Sequence, residues 1–247
     1  MFRSSSTYPD TYYAATTRDR QQPRPALSDN LQADVCVVGA GFFGLYCALD
    51  LALAGKKVLV LEASRVGWGA SGRNGGQLVQ GFPCGMDRLK AAIGHSRAKD
   101  MFHESLRSID KIRHIIKSNA IDCELAEGHL EVAVLPRRVK DLTDMIEDCS
   151  KQWGYDNYQF VSKAELPRYL NSPRYQAGVL DTDAAHLHPL KYILGLAQVA
   201  EAAGVRIFEQ TRVAGYSEGA EGMTVQLASG AQVRCDQLVL AANAYVD

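Results

Sequence analysis

Three glycines and one acid carry the first chemical signal in this chain. Gly39, Gly41 and Gly44 stand in the run Gly39-Ala40-Gly41-Phe42-Phe43-Gly44, and Glu62 closes the next apolar stretch. Gly39 allows a tight turn out of a strand. Gly41 offers bare backbone against which a pyrophosphate can lie, and Gly44 lets a helix pack closely on a sheet. The start of that helix would present unpaired N–H groups and the positive end of its dipole to phosphates. Glu62 can accept hydrogen bonds from ribose hydroxyls, and its charge would repel a 2′-phosphate, which disfavours NADP.

The elements that must position these residues are legible around them. Val35–Val38 is a short apolar strand. Leu45, Ala48, Leu49, Ala52 and Leu53 form one helical stripe, Gly55 ends it, and Val58–Leu61 is a second apolar strand. A glycine-rich turn alone can occur in any α/β protein. With strand, helix, strand and acid in order, the stretch is a complete βαβ dinucleotide fingerprint, which leaves FAD and NAD both open.

A second glycine-rich loop, Gly67-Trp68-Gly69-Ala70-Ser71-Gly72-Arg73-Asn74-Gly75-Gly76, follows the acid. Here the sequence resembles the flavin-dependent amine and amino-acid oxidases of the D-amino-acid-oxidase superfamily, nearest the gamma-glutamylputrescine oxidoreductase branch. Asp10–Thr16, Pro25–Leu27 and Ala33–Gln77 carry the resemblance, which continues through His186–Lys191 and Leu240–Tyr245. An NAD-dependent dehydrogenase is the less fitting alternative, because NAD domains need no second glycine-rich loop there.

The resemblance implies FAD as cofactor. Gly39, Ala40, Gly41, Phe42, Phe43 and Gly44 would hold its pyrophosphate, and Glu62 with Ala63 the adenosine ribose. Gly69, Ala70, Ser71, Gly72, Arg73, Asn74, Gly75 and Gly76 would line the path to the ribityl chain and isoalloxazine. Val213 would touch adenine through its backbone, and Ala241, Ala242 and Asn243 would close over the ADP portion. Arg73 has two readings: a catalytic cation that stabilises negative charge on the reduced ring, or a surface arginine paired with a carboxylate. The implied reaction is oxidation of an amine C–N bond, on gamma-glutamylputrescine or a related amine or amino acid. Hydride passes to the flavin, the imine hydrolyses, and oxygen or another acceptor reoxidises the cofactor. Family members run well beyond this length. The chain stops just after a strand that reads as buried, so its edge would need a homo-oligomeric or other partner as cover. The alternative to an active oxidoreductase is a truncated, catalytically inactive fragment of one.

The rest of the sequence bounds these readings. Across 247 residues, 27 Lys and Arg face 28 Asp and Glu, so no strong field points to nucleic acid or an anionic membrane. No apolar run approaches the roughly 18 residues of a membrane helix, and the first residues lack the apolar core of a secretory signal. Six scattered cysteines without a CxxC pair suit a reduced, cytoplasmic chain. His95, His103 and His114 lie too far apart to share a metal, and His186 with His188 lacks a third ligand at suitable spacing, so no metal is expected. The expected fold is α/β: a Rossmann-like FAD-binding domain with an inserted α+β substrate domain, incomplete at the C-terminus. Residues 1–33 would be an arm docked on the body through its tyrosines. Residues 34–87 and 186–247 would be the two parts of the FAD-binding domain, and 88–185 the insertion. Within the insertion a helix or helix pair over 87–119 is expected, with Gly94 as a possible break, and a strand over 177–180. Pro189 would open a helix capped near His188.

Overall fold

The structure, a computed structural model, describes residues 5–220 and 222–245. In chain order it runs α1 (Tyr12–Ala15), β1 (Leu31–Val38), α2 (Phe42–Leu53), β2 (Val58–Leu61), β3 (Gln77–Leu78), α3 (Met86–Ile93), α4 (His95–Ser118) and β4 (Ala126–Ala133). It continues through α5 (Val139–Asp148), β5 (Tyr158–Ser162), β6 (Ala177–His186), α6 (Pro189–Ala202), β7 (Arg206–Phe208), β8 (Val213–Gly219), β9 (Gly222–Leu227) and β10 (Gln232–Leu240). Contacts divide the chain into two compact units. One holds the chain up to Gly75, Ile116–Cys123 and the chain from His188 onward; the other holds Gly76–Ile115 and Glu124–Leu187. Residues 76–87 therefore group with the second unit, and Ile116–Cys123 returns to the first.

The first unit is built on a six-stranded sheet in the order β7-β2-β1-β10-β9-β8. β7, β2, β1 and β10 run parallel, and the β10–β9 and β9–β8 pairs are antiparallel. All four residues of β2 are buried, as a parallel strand covered on both faces requires. Cys36, Leu59, Leu61, Val225, Val233 and Cys235 meet in one apolar cluster, each large aliphatic side chain contributing about 1.5–3 kcal/mol by leaving water. Helix α2 buries Gly44, Leu45, Ala48 and Leu49 on one face. It stops where Gly55 turns left-handed at φ +83°. Leu240, at the end of β10, is 52% exposed.

The second unit has an antiparallel sheet with β6 at its centre, flanked by β4 and β5 and paired at its end with β3. Gly94, at φ +85°, separates α3 from α4. Phe102 of α4 packs with Ala98, Trp153 and Tyr155. β6 runs past the expected strand over 177–180 to His186, which places the carboxylates of Asp181 and Asp183 in a sheet. Buried Asp181 accepts hydrogen bonds from the Tyr155 hydroxyl at 2.5 Å and from the Asp183 N–H at 3.1 Å, so its carboxylate enters the sheet partnered. Among the described residues no helix is long and apolar enough to cross a membrane.

Candidate functional site

The first glycine turn is fixed by backbone contact at close range. Gly39 leaves β1 at φ +110°, and a Cβ there would lie 2.6 Å from the Ala241 carbonyl oxygen. A Cβ on Gly44 would lie 2.0 Å from the Gly39 carbonyl oxygen, so α2 rests directly on the turn. The Gly39 N–H donates to the Leu61 carbonyl at 2.8 Å, and the Ala241 N–H to the Val38 carbonyl at 2.8 Å. Gly41 caps α2 with extended backbone and no side-chain acceptor. Ser71 Oγ takes the Phe42 N–H at 3.0 Å, which leaves the rest of the first turn to an acceptor from outside the helix.

Glu62 sits at the other side of this turn. Its Oε2 accepts the Ala40 N–H at 2.9 Å and its Oε1 accepts the Ser64 N–H at 2.8 Å. Burial raises its pKa above the ordinary carboxylate value, while the two N–H donors pull the other way. Each carboxylate oxygen keeps a second acceptor site, so capacity for ribose hydroxyls remains. A bare helix N-terminus, a turn without side chains and an adjacent carboxylate with spare acceptor sites together fit a dinucleotide.

The second loop is tied to the first by the Gly67 N–H, which donates to the Ala40 carbonyl at 3.0 Å. Ala70–Gly72 makes one 3-10 turn, and a Cβ on Gly72 would lie 2.3 Å from the Gly67 carbonyl oxygen. Asn74 Nδ2 donates back to the Ala70 and Ser71 carbonyls at 3.2 and 2.9 Å. Arg73 is exposed. Its guanidinium stands 4.8 Å from the Trp68 ring centre, with Nε donating to the Gly69 carbonyl at 3.2 Å and Nη2 to the Tyr245 hydroxyl at 3.4 Å. Tyr245 also covers Gly69, where a Cβ would come within 2.9 Å of its ring. Among the described residues no carboxylate pairs with Arg73.

The structure thus brings Gly39, Ala40, Gly41, Gly44, Glu62, Ser71, Gly72 and Ala241 around the end of β1, with Ala63, Gly69, Ala70 and Ala242 adjoining in the chain. Phe42 packs on Tyr192, ring centres 5.6 Å apart, while the Phe43 side chain is 67% exposed. Asn243 turns left-handed at φ +53°, and its Oδ1 accepts the Ala244 N–H at 2.7 Å. Val213 opens β8 and packs on the apolar cluster. The turn before it reaches Glu62, whose carbonyl accepts the Thr211 N–H at 2.8 Å. Gly75 ends the first segment of the first unit; Gly76 belongs to the second unit, where its carbonyl accepts the Leu187 N–H at 2.9 Å.

His188 caps α6. Its Nδ1 accepts the Lys191 N–H at 3.1 Å, which puts the ring proton on Nε2, facing Thr16 Oγ1 at 2.8 Å. No cluster of three or more His, Cys, Asp or Glu able to hold a metal occurs among the described residues. Sequence reasoning missed a buried charge centre. Glu209, 1% exposed, lies 2.6 Å from Arg65 Nε and 3.7 Å from Arg24 Nη1. It also accepts the Val66 N–H at 2.9 Å. The available signal was a Glu placed directly after the apolar pair Ile207 and Phe208 at the end of a strand.

Comparison with known proteins agrees with this geometry. The family model described as FAD dependent oxidoreductase (DAO) matches residues 34–247. The probable oxidoreductase OrdL of Haemophilus influenzae is 42% identical over 95% of this chain and 54% of its own length. The gamma-glutamylputrescine oxidoreductase of Escherichia coli is 35% identical over 96% and 54%. Among solved structures, an L-amino acid deaminase from Proteus vulgaris superposes with a TM-score of 0.73 at 22% identity, covering 95% of this chain and 58% of that one. Glycine oxidase from Geobacillus kaustophilus gives 0.66 at 18%, covering 86% and 55%. The chain spans about half the length of the curated relatives it matches. With the fingerprint, the second loop and the family match all on the same residues, the chain belongs to the DAO family of FAD-dependent oxidoreductases.

Proposed function

We propose that this chain binds FAD along its two glycine-rich loops and serves the oxidation of an amine C–N bond, on gamma-glutamylputrescine or a related amine or amino acid. The observation that carries the reading is the bare N-terminus of α2, where Gly41 supplies no cap and Ser71 from the second loop takes only the Phe42 N–H. Gly39, Gly41 and Gly44 would hold the pyrophosphate, and Glu62 the adenosine ribose through its spare acceptor sites. Ala241 to Asn243 would close over the ADP portion. Ala70, Ser71, Gly72 and Asn74 would line the route to the ring system, with Arg73 supplying positive charge beside it. FAD supplies the two-electron acceptor that no amino-acid side chain provides. The amine class is supported by the 35% identity to a gamma-glutamylputrescine oxidoreductase.

The test is the visible spectrum of the purified chain before and after FAD is added and the sample desalted. The expected outcome is a retained flavin band that bleaches with a gamma-glutamylated amine, with hydrogen peroxide formed if oxygen is the acceptor. A chain that stays colourless with excess FAD sinks the reading. A band that no amine or amino acid bleaches would support cofactor binding without turnover by this chain.

A further inference from the structure

The stretch that leads from Glu62 into the second loop, Ser64–Trp68, is held by the N-terminal arm. The Ser5 N–H donates to Ser64 Oγ at 3.0 Å. Arg65 Nη1 and Nη2 donate to the carbonyls of Ser6 at 3.3 Å and Gln21 at 2.8 Å. The Tyr8 hydroxyl donates to the Val66 carbonyl at 2.7 Å, and Trp68 Nε1 to the Thr7 carbonyl at 2.9 Å. Gln210 Nε2 joins the two segments by donating to the Ser5 and Ser64 carbonyls at 2.9 and 2.7 Å. The Arg65 guanidinium also lies 5.3 Å from the Tyr8 ring centre. Further along the arm, the Arg24 N–H donates to Glu209 Oε2 at 3.0 Å and the Leu27 N–H to Thr211 Oγ1 at 3.0 Å. Every residue from Ser64 to Trp68 except Gly67 is hydrogen-bonded to the arm.

The consequence follows from chain connectivity. Gly67 and Ser71 are the residues through which the second loop meets the first, and Trp68 is the floor on which Arg73 rests. A segment fixed on one side by the arm and continuous with the loop on the other transmits its position to both. We propose that the arm is a strap that sets the second loop for FAD, with Tyr8 and Arg65 as its positioning residues. The inference rests on the reading that these loops hold FAD. Because coupling is reciprocal, FAD must in turn tighten the arm.

Two measurements on the full chain test it. The first is the FAD dissociation constant of wild type and of Tyr8→Phe, read by quenching of flavin fluorescence, beside the melting temperature of the FAD-free proteins. Tyr8→Phe keeps the ring against Arg65 and removes only the donor to Val66. The expected result is FAD binding weakened about 10-fold with the melting temperature of the FAD-free protein lowered by no more than about 4 °C, the cost of one hydrogen bond. The second is the rate of tryptic cleavage after Arg18, an exposed arm residue, with and without saturating FAD. Cleavage should slow about 10-fold with FAD, an effect that a merely structural arm would not show. Equal affinity in Tyr8→Phe, or cleavage indifferent to FAD in a wild type that binds it, overturns the strap while leaving FAD binding intact. A wild type that binds no FAD overturns both.

Discussion

The two glycine-rich loops meet at Ser71 and Ala40, yet they are held in place by different means. The first turn is closed by backbone at close range, Gly44 against Gly39 within the turn and Gly39 against Ala241 at the end of the neighbouring strand, with no room for a methyl group. The second borrows its position from distant parts of the chain. Gly72 does close on the Gly67 carbonyl, but the other contacts are side chains from elsewhere: Gly67 packs on Ile193, Gly72 also on Leu190, Gly69 on Tyr245, and Trp68 hangs from Thr7. A phosphate-binding turn needs only a strand, a helix and glycines at fixed spacing, so it can be carried in a few residues. A loop that must shape the path beyond the phosphates depends on side chains that the fold delivers from elsewhere.

The sharpest way to break this comparison is at the turn that closes on itself. Gly44→Ala places a methyl 2.0 Å from the Gly39 carbonyl oxygen, and backbone cannot retreat as a flexible side chain would. The expected cost is about 3 kcal/mol or more, read as a loss of thermal stability together with loss of FAD retention on desalting. A stable variant that keeps FAD would show that the turn is looser than its contacts imply.

Next in size is the charge centre behind the second loop. Glu209→Gln keeps the shape but removes the charge that Arg65 and Arg24 face and one of the acceptors for Val66 and Arg24 N–H. Arg65 then remains buried with only the Ser6 and Gln21 carbonyls as acceptors and no carboxylate, whereas Arg24 keeps its bidentate pair with Glu201 at 2.6 and 2.8 Å. The expected loss is about 2 kcal/mol of stability by urea unfolding. An unchanged midpoint would mean that water reaches Arg65 and replaces the carboxylate.

The same contrast explains what was legible in the sequence. Gly39, Gly41, Gly44 and Glu62 announce their turn because local spacing determines its geometry, and α2, β1 and β2 fall where their apolar patterns put them. Gly94 likewise marks the break between α3 and α4. Glu209, Arg65 and Tyr8 gave no comparable signal. Their meaning is a contact between residues roughly 60 to 200 positions apart, and a buried charge looks like a surface charge until its partners are known. The tyrosines of the arm were the exception, since aromatic residues in an otherwise polar leader already argue for docking. β6 likewise runs past 177–180 through a distant partner, the Tyr155 hydroxyl that donates to the Asp181 carboxylate inside the sheet.

A smaller effect separates the arm from the body by pH. Burial raises the Tyr8 phenol above the ordinary tyrosine value, and the nearby Glu209 charge adds to the shift, while Arg65 and Arg24 oppose it. The fold therefore favours protonated Tyr8. Its contribution is complete below about pH 10, the unfolded value, and is lost as pH rises toward the higher folded value. Deprotonation also removes the donor to Val66. Tyr155 and Tyr158 of the second unit and Tyr192 of the first are raised too, so alkaline unfolding of the whole chain is no diagnostic by itself. The readout is the difference between wild type and Tyr8→Phe: tryptophan emission should begin to shift above about pH 10 in wild type as Trp68 is released from Thr7, and the variant should lack that first step. Coincident titration curves would place Tyr8 outside the docking equilibrium.

The smallest stability effect, and the one that best sharpens the division between holding a cofactor and using it, is at Arg73. Its guanidinium is exposed, stacks on Trp68 and meets no carboxylate among the described residues, so Arg73→Ala removes one surface cation–π contact worth about 0.5–1 kcal/mol. The turn that would hold the pyrophosphate does not involve it, and FAD retention should stay within about threefold of wild type. If Arg73 supplies charge beside the ring system, the variant should nevertheless reduce its flavin at least about tenfold more slowly with an amine substrate, because electrostatic stabilisation acts on the charge that develops during reaction rather than on the bound ground state. Rapid-mixing absorbance at the flavin band separates the two quantities. Full reduction rate with full retention would leave Arg73 as a clamp for Trp68 and Tyr245, and would move the search for the charge that serves the reaction elsewhere in the chain.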